Sequence, residues 1–85
     1  MVSKMTKRDK LIAAIRNNPY DVRFDDTCKV ALWLGFVGKG GKGSHTTFAR
    51  PDEQEKLNFQ NKRGKILAYQ VNQLIVMIDK YGHER

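Results

Sequence analysis

The chain has 85 residues, with 16 Lys or Arg against 9 Asp or Glu, for a formal net charge of +7. A chain this short buries only about 60% of its unfolded surface, so its core is thin and a second domain is excluded. A single cysteine and two histidines far apart exclude an intramolecular disulfide and a zinc site built on Cys and His spacing.

The charge is uneven. Residues 1–20 and 36–65 each carry +4, residues 21–35 carry −1, and residues 66–85 are neutral. Such asymmetry points to a polyanion partner, most simply nucleic acid. The longest apolar runs fall well short of a membrane span, and the opening "MVSKMTKRDK" has no apolar core of a secretory signal. The expectation is a cytoplasmic protein with Cys28 reduced and packed as a small apolar residue.

"TKRDKLIAAIRNNP" has the pattern of a first helix. Thr6 and Asp9 fit a capping box, Leu11, Ile12 and Ile15 share an apolar face, and Asn18-Pro19 ends it. "FDDTCKVALWLGF" predicts a second helix, with Asp25 and Asp26 at its positive end. Phe24, Cys28, Ala31 and Leu32 are its expected inner face, and Gly35 its stop. Trp33 falls off that face, which leaves three roles open: contact with the first helix, a partner interface, or stacking on a base.

A weak strand is expected at Phe36–Gly38. A glycine-rich turn follows, then a strand in "SHTTFAR" with His45, Thr47 and Ala49 on one face and Thr46 and Phe48 on the other. Pro51-Asp52 starts a turn, and "EKLNFQ" alternates with Leu57 and Phe59 on one side. "NKRGK" reads as a basic connector. In "KILAYQVNQLIVMIDKYG", Leu67, Val71, Leu74, Ile78 and Tyr81 recur at helical spacing, and Gly82 suits the position just past the helix end. The predicted fold is therefore α+β. A small three-stranded antiparallel sheet is covered on one face by helices, with the other face solvated and basic.

The glycine-rich stretch carries the functional question. A P-loop requires GxxxxGK followed by Ser or Thr, but Phe36 stands at the first glycine position and Gly43 follows Lys42. A GXXG clamp is matched by Gly38–Gly41 and by Gly40–Gly43, yet that motif expects a helix afterwards, where this chain has a strand sequence.

A more specific match spans most of the chain. "GFVGKGGKGSHTTFARP" resembles the signature of the HicA toxins, small bacterial ribonucleases of toxin–antitoxin pairs. The likeness comprises the Phe-Asp-Asp helix ending in Leu-Gly-Phe, a basic turn, Gly43-Ser44-His45, and Phe48 three residues after the histidine. It continues through the strand "LNFQ", the connector "KRGK" and the final helix. The resemblance implies one domain over residues 1–85, with residues 1–20 as an N-terminal helical extension and 21–82 as the core. It implies a fold like that of double-stranded-RNA-binding domains. It also implies mRNA cleavage without a metal or other cofactor, with His45 as the catalytic residue and a HicB-like antitoxin as inhibitory partner. Thr46 stands where many members carry a second histidine, so His45 is the only imidazole of the motif.

The residues suit that chemistry. RNA supplies its own nucleophile, the 2′-OH, and histidine exchanges protons near neutral pH. Lys39, Lys42 and the N–H groups around Gly43 are expected to stabilise charge on the phosphate, and Ser44 to orient the phosphate or the imidazole. Arg50, Lys62, Arg63 and Lys65 are the expected contacts along the RNA backbone. Asp25, Asp26, Asp52, Glu53 and Glu55 show no metal-binding spacing near His45. The competing reading is a non-catalytic RNA-binding module using the same basic surface.

Overall fold

A computed structural model of the protein describes residues 6–40 and 45–82. Among these residues three helices, α1 (Lys7–Asn17), α2 (Phe24–Trp33) and α3 (Ala68–Tyr81), accompany three strands, β1 (Val37–Gly38), β2 (His45–Ala49) and β3 (Leu57–Gln60). The strands form one antiparallel sheet in the order β1-β2-β3, a meander as the alternation predicts.

Local chemistry sets the helix ends. The Thr6 hydroxyl accepts from the Asp9 N–H at 3.1 Å while Asp9 accepts from the Thr6 N–H at 3.2 Å, so the capping box forms at α1. At the end of α2, the Gly35 N–H donates to the Leu32 carbonyl and the Phe36 N–H reaches back to Ala31, each at 3.0 Å. This is a Schellman motif, and it requires the left-handed backbone that Gly35 adopts at φ 88. Gly82 differs from the sequence expectation. It is the cap residue of α3, with φ −66 in the right-handed region rather than the left-handed one.

The core lies between the inner face of the sheet and the helices. Phe48 of β2 and Leu57 and Phe59 of β3 face Val30 and Ala31 of α2 and Val71, Leu74, Met77 and Ile78 of α3, with Ile15 added from α1. The Phe48 and Phe59 rings pack at 5.7 Å, and Phe36 meets Tyr81 edge-on at 6.0 Å. Of the inner face expected for α2, Ala31 is buried and Phe24 and Cys28 pack partly buried against the core, but Leu32 is 57% exposed, and Thr27 and Val30 are buried instead. Thr27 accepts burial because its hydroxyl donates to the Phe24 carbonyl at 2.6 Å. Trp33 is partly buried, with the Arg8 guanidinium 5.0 Å from its ring centre, which settles its neighbour as α1.

Candidate nucleic-acid interface

An antiparallel meander brings alternate strand ends together. The start of β2 at His45 and the end of β3 at Gln60 lie together at one end of the sheet, while β1 ends at Gly38 opposite Phe48 and the chain runs on toward that end through Lys39 and Gly40, opposite Thr47. His45 opens the central strand there, directly opposite Gln60. It is exposed, and its imidazole has no hydrogen-bond or ion-pair partner among the described residues.

Two basic turns flank this histidine. On one side, the Lys39 N–H donates to the Thr47 carbonyl at 2.7 Å and the Thr47 N–H donates to Gly40 at 3.0 Å. Two residues thus oppose one, a bulge at the foot of the glycine-rich turn, with Gly40 at φ 87. Lys39 is exposed there. Lys42, Gly43 and Ser44, expected from the sequence to contact the phosphate, lie outside the described residues.

On the other side, the connector after β3 is a tight hairpin. Lys62 and Lys65 exchange backbone hydrogen bonds at 2.7 and 3.1 Å around Arg63 (φ 56) and Gly64 (φ 87). Left-handed angles at both central residues define a type I′ turn. The turn is fastened from behind. Gly64 accepts from the Phe24 N–H at 2.8 Å, the Ile66 N–H donates to Val22 at 3.1 Å, and the Asn61 side chain accepts from the Gly64 N–H at 2.7 Å. Lys62, Arg63 and Lys65 are all exposed, and the Lys65 ammonium is paired with Asp21.

Arg50 has partners of a different kind. It was expected along the RNA backbone, but its side chain is only 14% exposed. Its guanidinium donates to Asp52 at 2.7 Å and to the Leu34 carbonyl, and lies 3.8 Å from the centre of the Tyr81 ring. A Cβ at Gly35 would come within 2.9 Å of this guanidinium, so the glycine also makes room for it. Arg50 braces the end of the sheet away from His45, its guanidinium turned inward rather than toward a ligand.

The open face of the sheet also differs from expectation. Its strand residues are Val37, Ala49, His45, Thr47, Asn58 and Gln60, with the Thr47 hydroxyl donating to Asn58 at 2.7 Å, and its basic residues are confined to the border, exposed Lys39 just after β1 and exposed Lys56 just before β3. Positive charge therefore lies in the turns and strand borders rather than on the strand residues of this face. Gln70 is a site residue that the apolar stripe of α3 concealed. It is buried, and its side-chain oxygen accepts from the Gln60 N–H at 3.0 Å. The available signal was a polar residue three positions after Leu67 and four before Leu74, on the helix's inner side.

Among the described residues, no three His, Cys, Asp or Glu side chains gather as a metal site requires, and no helix is long and apolar enough to cross a membrane. No family model, curated protein or solved structure matches the chain. The class that the fold and this end of the sheet define is a small α+β domain with an exposed histidine between two basic turns.

Proposed function

We propose that this protein is a HicA-like toxin, an endoribonuclease that cuts mRNA with His45 as its one catalytic histidine and that a HicB-like antitoxin inhibits in the cytoplasm. The observation that carries the reading is the exposed imidazole of His45 at the start of the central strand, which has no partner among the described residues, with exposed Lys39 in the turn after β1 and exposed Lys62 and Arg63 in the turn after β3. The Gly43-Ser44-His45 resemblance and the +7 charge support it.

In this reading His45 takes the proton of the 2′-OH. The 2′-oxygen then bonds to phosphorus, and the bond to the 5′-oxygen breaks. The departing oxygen takes a proton from the imidazolium or from water. Charge on the phosphate is met by the neighbouring cations, which are worth most where water is excluded. With no second histidine beside His45, acid and base duties fall on one group, and turnover is expected to be slow.

The test is cleavage of a defined single-stranded RNA in EDTA by wild type and His45→Ala, with the same sequence as DNA for comparison. Cleavage of RNA alone, lost in His45→Ala while RNA binding persists, is the expected result. A folded wild type that binds RNA and never cuts it would support the binding-module reading instead.

A further inference from the structure

Tyr69 is the second residue of α3, and 59% of it is exposed. Exposed tyrosines are common and usually need no explanation. This one is tied to the candidate site through a buried amide. Gln70 is only 4% exposed, and burial of an amide is costly unless both its ends are bonded. Its oxygen accepts from the Gln60 N–H at 3.0 Å, and its nitrogen donates to the Tyr69 hydroxyl at 3.4 Å. Gln60 is the cross-strand partner of His45. One buried side chain therefore links the strand residue opposite the histidine to the phenol of an exposed ring. The exposed Lys62 and Arg63 lie between Gln60 and Tyr69 in the chain, at the turn joining β3 to α3.

Cations that track a backbone, together with an aromatic ring on which a base can stack, are the two parts of a single-stranded nucleic-acid site. Lysines alone would grip phosphates and leave the bases unheld. We infer that Tyr69 is a base-stacking residue of this site and holds a nucleotide next to the phosphate that His45 faces, with Gln70 as the strut that fixes its hydroxyl end. The inference rests on the proposed ribonuclease reading and adds a subsite to it. Stacking accepts any base, so the subsite contributes affinity and register more than sequence preference.

The experiment compares two short oligonucleotides that cannot be cut, both 2′-O-methylated, one carrying bases and one abasic throughout. Binding is read by fluorescence anisotropy for wild type, Tyr69→Ala and Tyr69→Phe, each checked for unchanged thermal unfolding. Tyr69→Ala is expected to bind the base-bearing strand about tenfold more weakly and the abasic strand as wild type does. Tyr69→Phe, which keeps the ring, is expected to retain most of the preference for bases. A Tyr69→Ala variant that keeps the full preference would overturn the inference. Equal weakening on both strands would also overturn it, because a merely structural role would produce that. Cleavage of unmodified RNA by wild type is measured alongside. Its absence, with the Tyr69 effect intact, would fail the ribonuclease reading and leave the stacking subsite standing.

Discussion

Arg63 occupies a backbone position that side chains avoid. At φ 56 a residue with a Cβ is disfavoured by about 1–2 kcal/mol, and type I′ turns favour Asn-Gly for this reason. The following Gly64 already conforms, and its missing Cβ faces open space. Strain kept at an exposed cation is a cost that folding alone does not require, and it is consistent with a use for the charge. Arg63→Asn is therefore expected to stabilise the protein by roughly 0.5–1 kcal/mol, seen as a higher urea midpoint at unchanged slope, while RNA binding weakens. A lower midpoint would mean that the arginine side chain makes stabilising contacts that outweigh the strain. Gly35 illustrates the opposite arrangement. There the left-handed residue is already glycine, and the space beside it belongs to the Arg50 guanidinium.

The turn between β2 and β3 is joined to the end of α3 by one carboxylate. Glu53 accepts from Lys80 at 2.6 Å, from the Tyr81 hydroxyl at 2.5 Å and from the Glu55 N–H at 2.9 Å, and its side chain is 4% exposed. The Lys80 hydrogen bond, then those of Tyr81 and the Glu55 N–H, hold its carboxyl down to about 2 from an ordinary 4.5. A depressed carboxyl contributes stability that is fully present above its unfolded value. That contribution is lost as pH falls from about 4.5 through about 2. Glu53→Gln is thus expected to be clearly less stable than wild type near neutral pH, with the gap in urea midpoint closing toward about pH 2. A gap of the same size at every pH would show that the charge on Glu53 is not what joins the two elements. This junction was not legible in the sequence, because Glu53 and Lys80 are 27 residues apart and only the folded meander brings them together. The elements themselves were legible where one local rule dominated: the Thr6 and Asp9 cap, the alternation of Leu57 and Phe59, and the stripe from Val71 to Tyr81. Burial of Thr27 on α2 was missed because it looks polar until its hydroxyl is seen bonded within its own helix. His45 and the turn cations could be named from sequence. Their neighbours Gln60 and Gln70, and the engagement of Arg50, depend on strand register and on contacts across the fold.

At the scale of the whole molecule, the +7 charge is a general attraction for polyanions, and the fold decides which charges matter. Arg16 is paired with Asp79 at 2.5 Å, Arg8 lies over Trp33, and Arg50 is turned inward. Lys65 is paired with Asp21 at the surface. Lys39, Lys62 and Arg63 are exposed in the turns that adjoin the histidine strand, and Lys7, Lys10, Arg23, Lys29 and Lys56 are exposed as well. Each phosphate neutralised on a single strand contributes about −0.7 to the slope of log affinity against log salt. Lys62→Ala is therefore expected to reduce the size of that slope by about 0.7, and Lys65→Ala by less, because its ammonium is already shared with a carboxylate. Arg16→Ala, on the α1–α3 side, is expected to leave the slope unchanged. Binding of a short single-stranded RNA across a salt series measures all three. Equal reductions for Arg16 and Lys62 would mean that RNA feels only the total charge. A reduction confined to the turn residues would mean that the strand passes the end of the sheet, over the residue that could cut it.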